Sequence, residues 1–212
     1  MVKNATTPDV RLTVLADHYK DTQRGIERLN KTRDLNFLYM LVVLGVMTFQ
    51  FFSPQTSGNV FSELVKKHLE IDTAISLNYI GSLIWFGLLV VAIRYFQTTI
   101  NLEKQYNYIH DLEDELSKEY DGQVFTREGK AYLNHYPLFS EWLHILYRVI
   151  FPLLFSIAVA VKAGSEWMLP NRALEPLWFN TVIAAMILIS TGLYWYSLMK
   201  IGKDSYKDTA TK

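Results

Sequence analysis

Glu141, His144 and Arg148 recur at i, i+3 and i+7, a spacing that places a carboxylate, an imidazole and a guanidinium on one face of a helix. At one end of an apolar stretch, such a file could line the inner mouth of an ion or water path. The alternative is structural: Arg148 reaches for headgroups or pairs with Glu141. A second group lies in the segment GQVFTREGKAYLNHYPLFSEW, where Arg127, Lys130 and His135 supply charge and donors and Tyr132 and Tyr136 supply rings. A phosphate-bearing or nucleotide ligand needs those features. Anchoring a helix at a membrane interface needs them as well. Ser156, Ala160 and Gly164 form a small-residue series that lets another helix come close, and Pro152 ahead of it removes one backbone hydrogen bond and predicts a kink.

Catalysis finds little support in the chain. It has no cysteine, so thiol nucleophiles, disulfides and thiolate zinc sites are excluded. The five histidines form no two-His metal spacing, and neither a nucleophile elbow nor a phosphate-cradling glycine loop is present. His110 beside Asp111 and Glu113 is the best metal-like group, but it sits in a charged helix where solvated residues are expected. No catalytic residue, metal or cofactor is therefore expected.

The elements that must position these residues are membrane spans. Leu35 to Ser62 carries no charge, nor do the residues between Asp72 and Arg94 or between Glu175 and Lys200. Each gap exceeds the roughly 20 residues a helix needs to cross the hydrocarbon. A fourth span, Trp142 to Gly164, contains Arg148 and Lys162 but has the core VIFPLLFSIAVAV, too apolar for a loop. Seventeen basic residues fall before Leu35, from Arg94 through Arg148, or after Met199, against four (Lys66, Lys67, Lys162 and Arg172) in the other two loops. This asymmetry predicts both termini and the central segment in the cytoplasm. The first 34 residues are too polar for a cleaved signal peptide, so the first span is expected to remain as an anchor. Val60, Phe61, Leu64, Val65 and Leu69 predict a short amphipathic helix on the outer surface.

The expected fold is all-α: a polytopic membrane protein with four transmembrane helices and long cytoplasmic helical extensions. Residues 1–34 form an amphipathic helix, 35–94 the first two spans, 95–140 a helical rod and a short helix, 141–199 the last two spans and 200–212 a tail. Leu12, Leu15, Tyr19, Ile26 and Leu29 recur at helical spacing before the first span, and Leu102, Ile109 and Leu116 recur every seven residues beyond the second. Two rods with apolar stripes should pair, either with each other or with neighbouring copies. Acids and bases balance at 21 each, which argues against binding nucleic acid by bulk charge alone.

This arrangement, with TINLEKQYNYIHDLEDELSKEY leaving one span and TREGKAYL preceding the next, resembles the small membrane effectors of bacterial antiphage defence, including the SLATT type. The resemblance covers the architecture of about residues 9–150 and departs from the SLATT pattern in having four spans rather than two. It implies a homo-oligomer of the bacterial inner membrane that disrupts the bilayer when a nucleotide or nucleic-acid-derived ligand, or a cytoplasmic partner protein, releases it. The expected function is accordingly a gated pore or channel. The alternative is a non-conducting anchor or regulatory subunit of a larger complex.

Overall fold

The computed structural model describes residues 8–69, 77–118, 138–168 and 174–210, and among these every residue except Ser53 lies in a helix. Helix α1 runs Pro8–Phe52, α2 Pro54–Leu69, α3 Leu77–Lys118, α4 Leu138–Ile145, α5 Phe151–Met168 and α6 Leu174–Ala210. Four stretches are long and apolar enough to cross a membrane: Leu12–Phe52, Ile80–Leu116, Trp142–Met168 and Leu174–Gly202.

Local chemistry sets the breaks. Pro54 opens α2 at a position where a missing N–H costs nothing, and the Ser53 carbonyl accepts the first bond of that helix from Ser57 N at 2.9 Å. Between α4 and α5 the chain makes a wide π-helical turn, Leu146–Ile150, closed by the Phe151 N–H on the Leu146 carbonyl. Pro152 explains it. A proline ring collides with the carbonyl four residues back, here that of Arg148, and cannot donate to it. An extra residue in the preceding turn relieves that collision. The expected disturbance at Pro152 is thus a widened turn ahead of the ring.

The chain divides into two compact units, the first comprising residues 1–33, 98–151 and 195–212 and the second 34–97 and 152–194. In the first, Ile26 of α1 packs with Leu102 and Ile109 of α3, flanked by Tyr19, Leu29 and Tyr106. Tyr19 Oη donates to Glu113 Oε1 at 3.1 Å, and Asn30 Nδ2 donates to Tyr106 Oη at 3.3 Å. As the α1 number rises the α3 number falls, so the two segments are antiparallel. Leu102, Ile109 and Leu116 are 3%, 0% and 0% exposed within one chain. The stripe is thus covered within one chain, and side chains already buried have no area left to offer a second one.

The second unit has an apolar inside and an apolar outside. Leu88, Leu89 and Ala92 of α3, Phe155 and Val159 of α5, and Ile183, Ala184 and Ile187 of α6 are buried, recurring every three to four residues along each helix. Outward, Leu38, Val42, Leu83, Phe86, Leu154, Ile157, Val161, Val182, Ile189 and Leu193 are all exposed. Water would penalise so much contiguous hydrocarbon, whereas lipid chains solvate it. Trp167 and Trp178 meet edge to face at 5.3 Å, and Trp167 Nε1 donates to Thr181 Oγ1 at 3.0 Å, as interfacial rings with one polar end do.

Candidate functional site

Within the second unit one carboxylate is deeply buried. Glu166, two residues before the end of α5, is 4% exposed. Its Oε1 accepts a hydrogen bond from Trp85 Nε1 of α3 at 3.2 Å and lies 3.3 Å from Lys162 Nζ, one turn earlier on its own helix. Its Oε2 accepts from Asn180 Nδ2 of α6 at 2.9 Å. The Lys162 ammonium also stands 5.5 Å from the centre of the Phe51 ring, on α1. Four helices therefore converge on one ion pair. The carboxylate is satisfied by three donors, but Asn180 Oδ1 is buried and has no hydrogen-bond partner among the described residues.

Along the same helices the polar cluster gives way to hydrocarbon and then to rings. Phe96 stacks on Tyr194 with centroids 4.7 Å apart and meets Phe155 edge to face at 6.3 Å, while Tyr95 packs against Phe96 at 5.9 Å. Phe96 lies eleven positions after Trp85, and Glu166 eleven after Phe155. At 1.5 Å per residue the aromatic layer lies about 16 Å from the ion pair. Leu88, Ala92, Val159 and Ile187 fill the space between, all buried. This interior can hold a charge at one end and is closed by packing at the other.

A second cluster belongs to the first unit. Glu103 Oε2 of α3 lies 3.3 Å from Arg148 Nη1, Glu103 Oε1 lies 3.7 Å from His144 Nε2, and Arg148 and His144 are 3.2 Å apart. Arg33 stands over the Tyr147 ring, 5.0 Å from its centre. His144 and Arg148 thus share a face as their spacing predicted, but the carboxylate they meet is Glu103. The side chain of Glu141 lies outside the described residues, as do Arg127, Lys130, Tyr132, His135 and Tyr136. Reversing one charge tests this cluster. Arg148→Glu is expected to lower stability by roughly 1 to 2 kcal/mol, between exposed and buried ion pairs, and Glu103→Arg in the same chain should restore most of it in a detergent unfolding curve.

No family model, curated protein or solved structure matches this chain. Function must therefore be argued from the chain's own geometry. Among the described residues no three His, Cys, Asp or Glu side chains converge as a metal site. The small-residue series on α5 is open: Ala160 and Gly164 are exposed and Ser156, whose Oγ donates to the Pro152 carbonyl at 2.8 Å, is half-buried. Ser190 donates to its own helix, at the Met186 carbonyl. Glu166, Asn180 and Glu103 were not singled out by the sequence reading. The i, i+4 spacing of Lys162 and Glu166 inside an apolar helix is the signal that could have found the first of them.

Proposed function

We propose that the chain is a homo-oligomeric, channel-like protein of a bacterial inner membrane, with both termini cytoplasmic, in which the four-helix interior of the second unit is a closed ion path. One observation carries this reading: an ion pair, Lys162 with Glu166, buried where apolar side chains would pack at lower cost. An inert anchor has no use for it. The Phe96, Phe155 and Tyr194 layer serves as the gate, since an apolar constriction stops ions until it widens and wets. Copies associate through the open face at Ala160 and Gly164, where helices can approach closely. The resemblance to antiphage effectors supplies the class of trigger, a nucleotide or a partner protein.

A non-conducting anchor is the second reading, and one observation favours it. Arg148 and His144 are engaged by Glu103 of the same chain, as in a structural ion pair. Planar-bilayer recording of the purified full chain separates the two. Unitary currents are expected, with Glu166→Gln shifting the reversal potential and the Glu103→Arg with Arg148→Glu exchange leaving it unchanged. A folded oligomer that passes no current, with or without nucleotides added, would leave the anchor.

A further inference from the structure

We infer that the exposed basic face of α1 just ahead of its apolar stretch, formed by Arg24, Arg28 and Lys31, is a docking surface for the headgroups of anionic phospholipids. This surface requires only that α1 cross a bilayer, and owes nothing to an ion path through the second unit. Three features converge on it. The first is placement. Arg24, Arg28 and Lys31 follow one another at steps of four and three residues, which sets them on one face of the helix, and all three are exposed. Ile26, which packs with Leu102 and Ile109 of α3, stands two residues from both Arg24 and Arg28 and so lies on the opposite side of α1. The basic face is therefore turned away from α3 and open.

The second is depth. From Leu35 to its end at Phe52, α1 carries no charge. At 1.5 Å per residue that stretch is about 27 Å long, close to the roughly 30 Å of hydrocarbon it must cross, so it has no length to spare. The headgroup layer, roughly 5 to 7 Å deep, then begins at the residues just before Leu35. Lys31 falls about 6 Å from Leu35 along the helix, within that layer, and Arg28 follows one turn farther out, at about 10 Å. Both side chains are long enough to carry their charge toward a phosphate.

The third is the balance of charge along the helix. From Pro8 to Gln23, three acids (Asp9, Asp17 and Asp21) outnumber two bases (Arg11 and Lys20). From Arg24 to Asp34, four bases (Arg24, Arg28, Lys31 and Arg33) outnumber two acids (Glu27 and Asp34). Positive charge thus gathers at the end next to the bilayer. Asp21, which meets Arg24 at 3.5 Å, lies about 21 Å from Leu35, well beyond a Debye length of about 8 Å. Glu27 and Asp34 flank Lys31 four residues before it and three after, yet neither forms an ion pair with it among the described residues. Charge complementarity names the occupant. An anionic headgroup gains from these cations, whereas a zwitterionic one brings a cation of its own.

Native mass spectrometry of the purified full chain tests this, in micelles holding phosphatidylglycerol and phosphatidylcholine of the same acyl chains in equal amounts. Wild type should retain phosphatidylglycerol in preference. Arg28→Gln with Lys31→Gln should lower that preference by about fivefold for each charge removed. Lys20→Gln, about 22 Å from Leu35 on the same helix, should leave it unchanged. A preference that survives in the double variant overturns the inference. So does an equal loss in Lys20→Gln, which would make net charge rather than this face the cause. Release of phosphatidylglycerol by inorganic phosphate, at an ionic strength matched with chloride, would assign the face to a soluble phosphate and overturn lipid docking as well. If the double variant does not fold, Lys31→Gln alone decides by the same ratio. Bound lipid rather than current is measured, so a lipid preference without conduction keeps this surface and removes the ion path, and conduction without a preference does the reverse.

Discussion

Glu166→Leu is expected to lower the stability of the protein by roughly 3 to 5 kcal/mol, the range found when one member of a buried ion pair is removed. Three donors lose their acceptor at once. Among the described residues the Lys162 ammonium is left with the Phe51 ring alone, and Trp85 Nε1 and Asn180 Nδ2 lose the acceptor they share. Adding Lys162→Met should recover part of the loss and no more. It removes the stranded charge, but the two orphaned donors still cost about 1 to 3 kcal/mol each. A double variant as stable as wild type would mean that water reaches this cluster freely. Unfolding in mixed micelles, followed by circular dichroism, measures both.

The second large effect concerns the heptad stripe. Changing Leu102, Ile109 and Leu116 together to Ser is expected to separate the α1 and α3 segments of the first unit, because the Ile26 cluster loses its partners. Ile109 alone, at 0% exposure, should cost about 2 to 5 kcal/mol when cut to Ala. The oligomer mass should not change, since these side chains face inward within one chain. Size-exclusion chromatography with light scattering and limited proteolysis separate the two outcomes. A lighter particle with intact helix pairing would return the stripe to the contact between copies.

Membrane spans are legible in a sequence because the bilayer imposes one strong rule, a run of uncharged residues long enough to cross it, and this chain obeys it three times without exception. Antiparallel pairing of the rods was half legible. Heptad spacing announces a buried stripe, but nothing in a period of seven says whether the covering helix belongs to the same molecule. Glu166 was hidden for a different reason. Placed two residues from the end of an apolar helix, a glutamate reads as a headgroup-level residue, and its burial is created by Trp85, 81 residues away, and by Asn180 on the next helix. The same holds for Trp85: its ring suits packing, and its N–H is informative only once the acceptor is known. Glu103 was passed over because a charged residue among other charges on a polar helix carries no contrast, although it is the carboxylate that His144 and Arg148 meet.

The wide turn before Pro152 limits where the chain can gain or lose a residue. A π-helical turn amounts to one residue of slack in an α-helix. Removing a residue between 146 and 150 would take up that slack and keep Phe155, Val159 and Glu166 facing inward. The same deletion made beyond Pro152 would rotate whatever follows by about 100°, one residue's share of a 3.6-residue turn, and carry Glu166 out of the interior. Yet a tightened turn brings the Arg148 carbonyl back against the proline ring. The extra residue and Pro152 are thus locked together: this helix can be shortened by one only where the proline is lost with it.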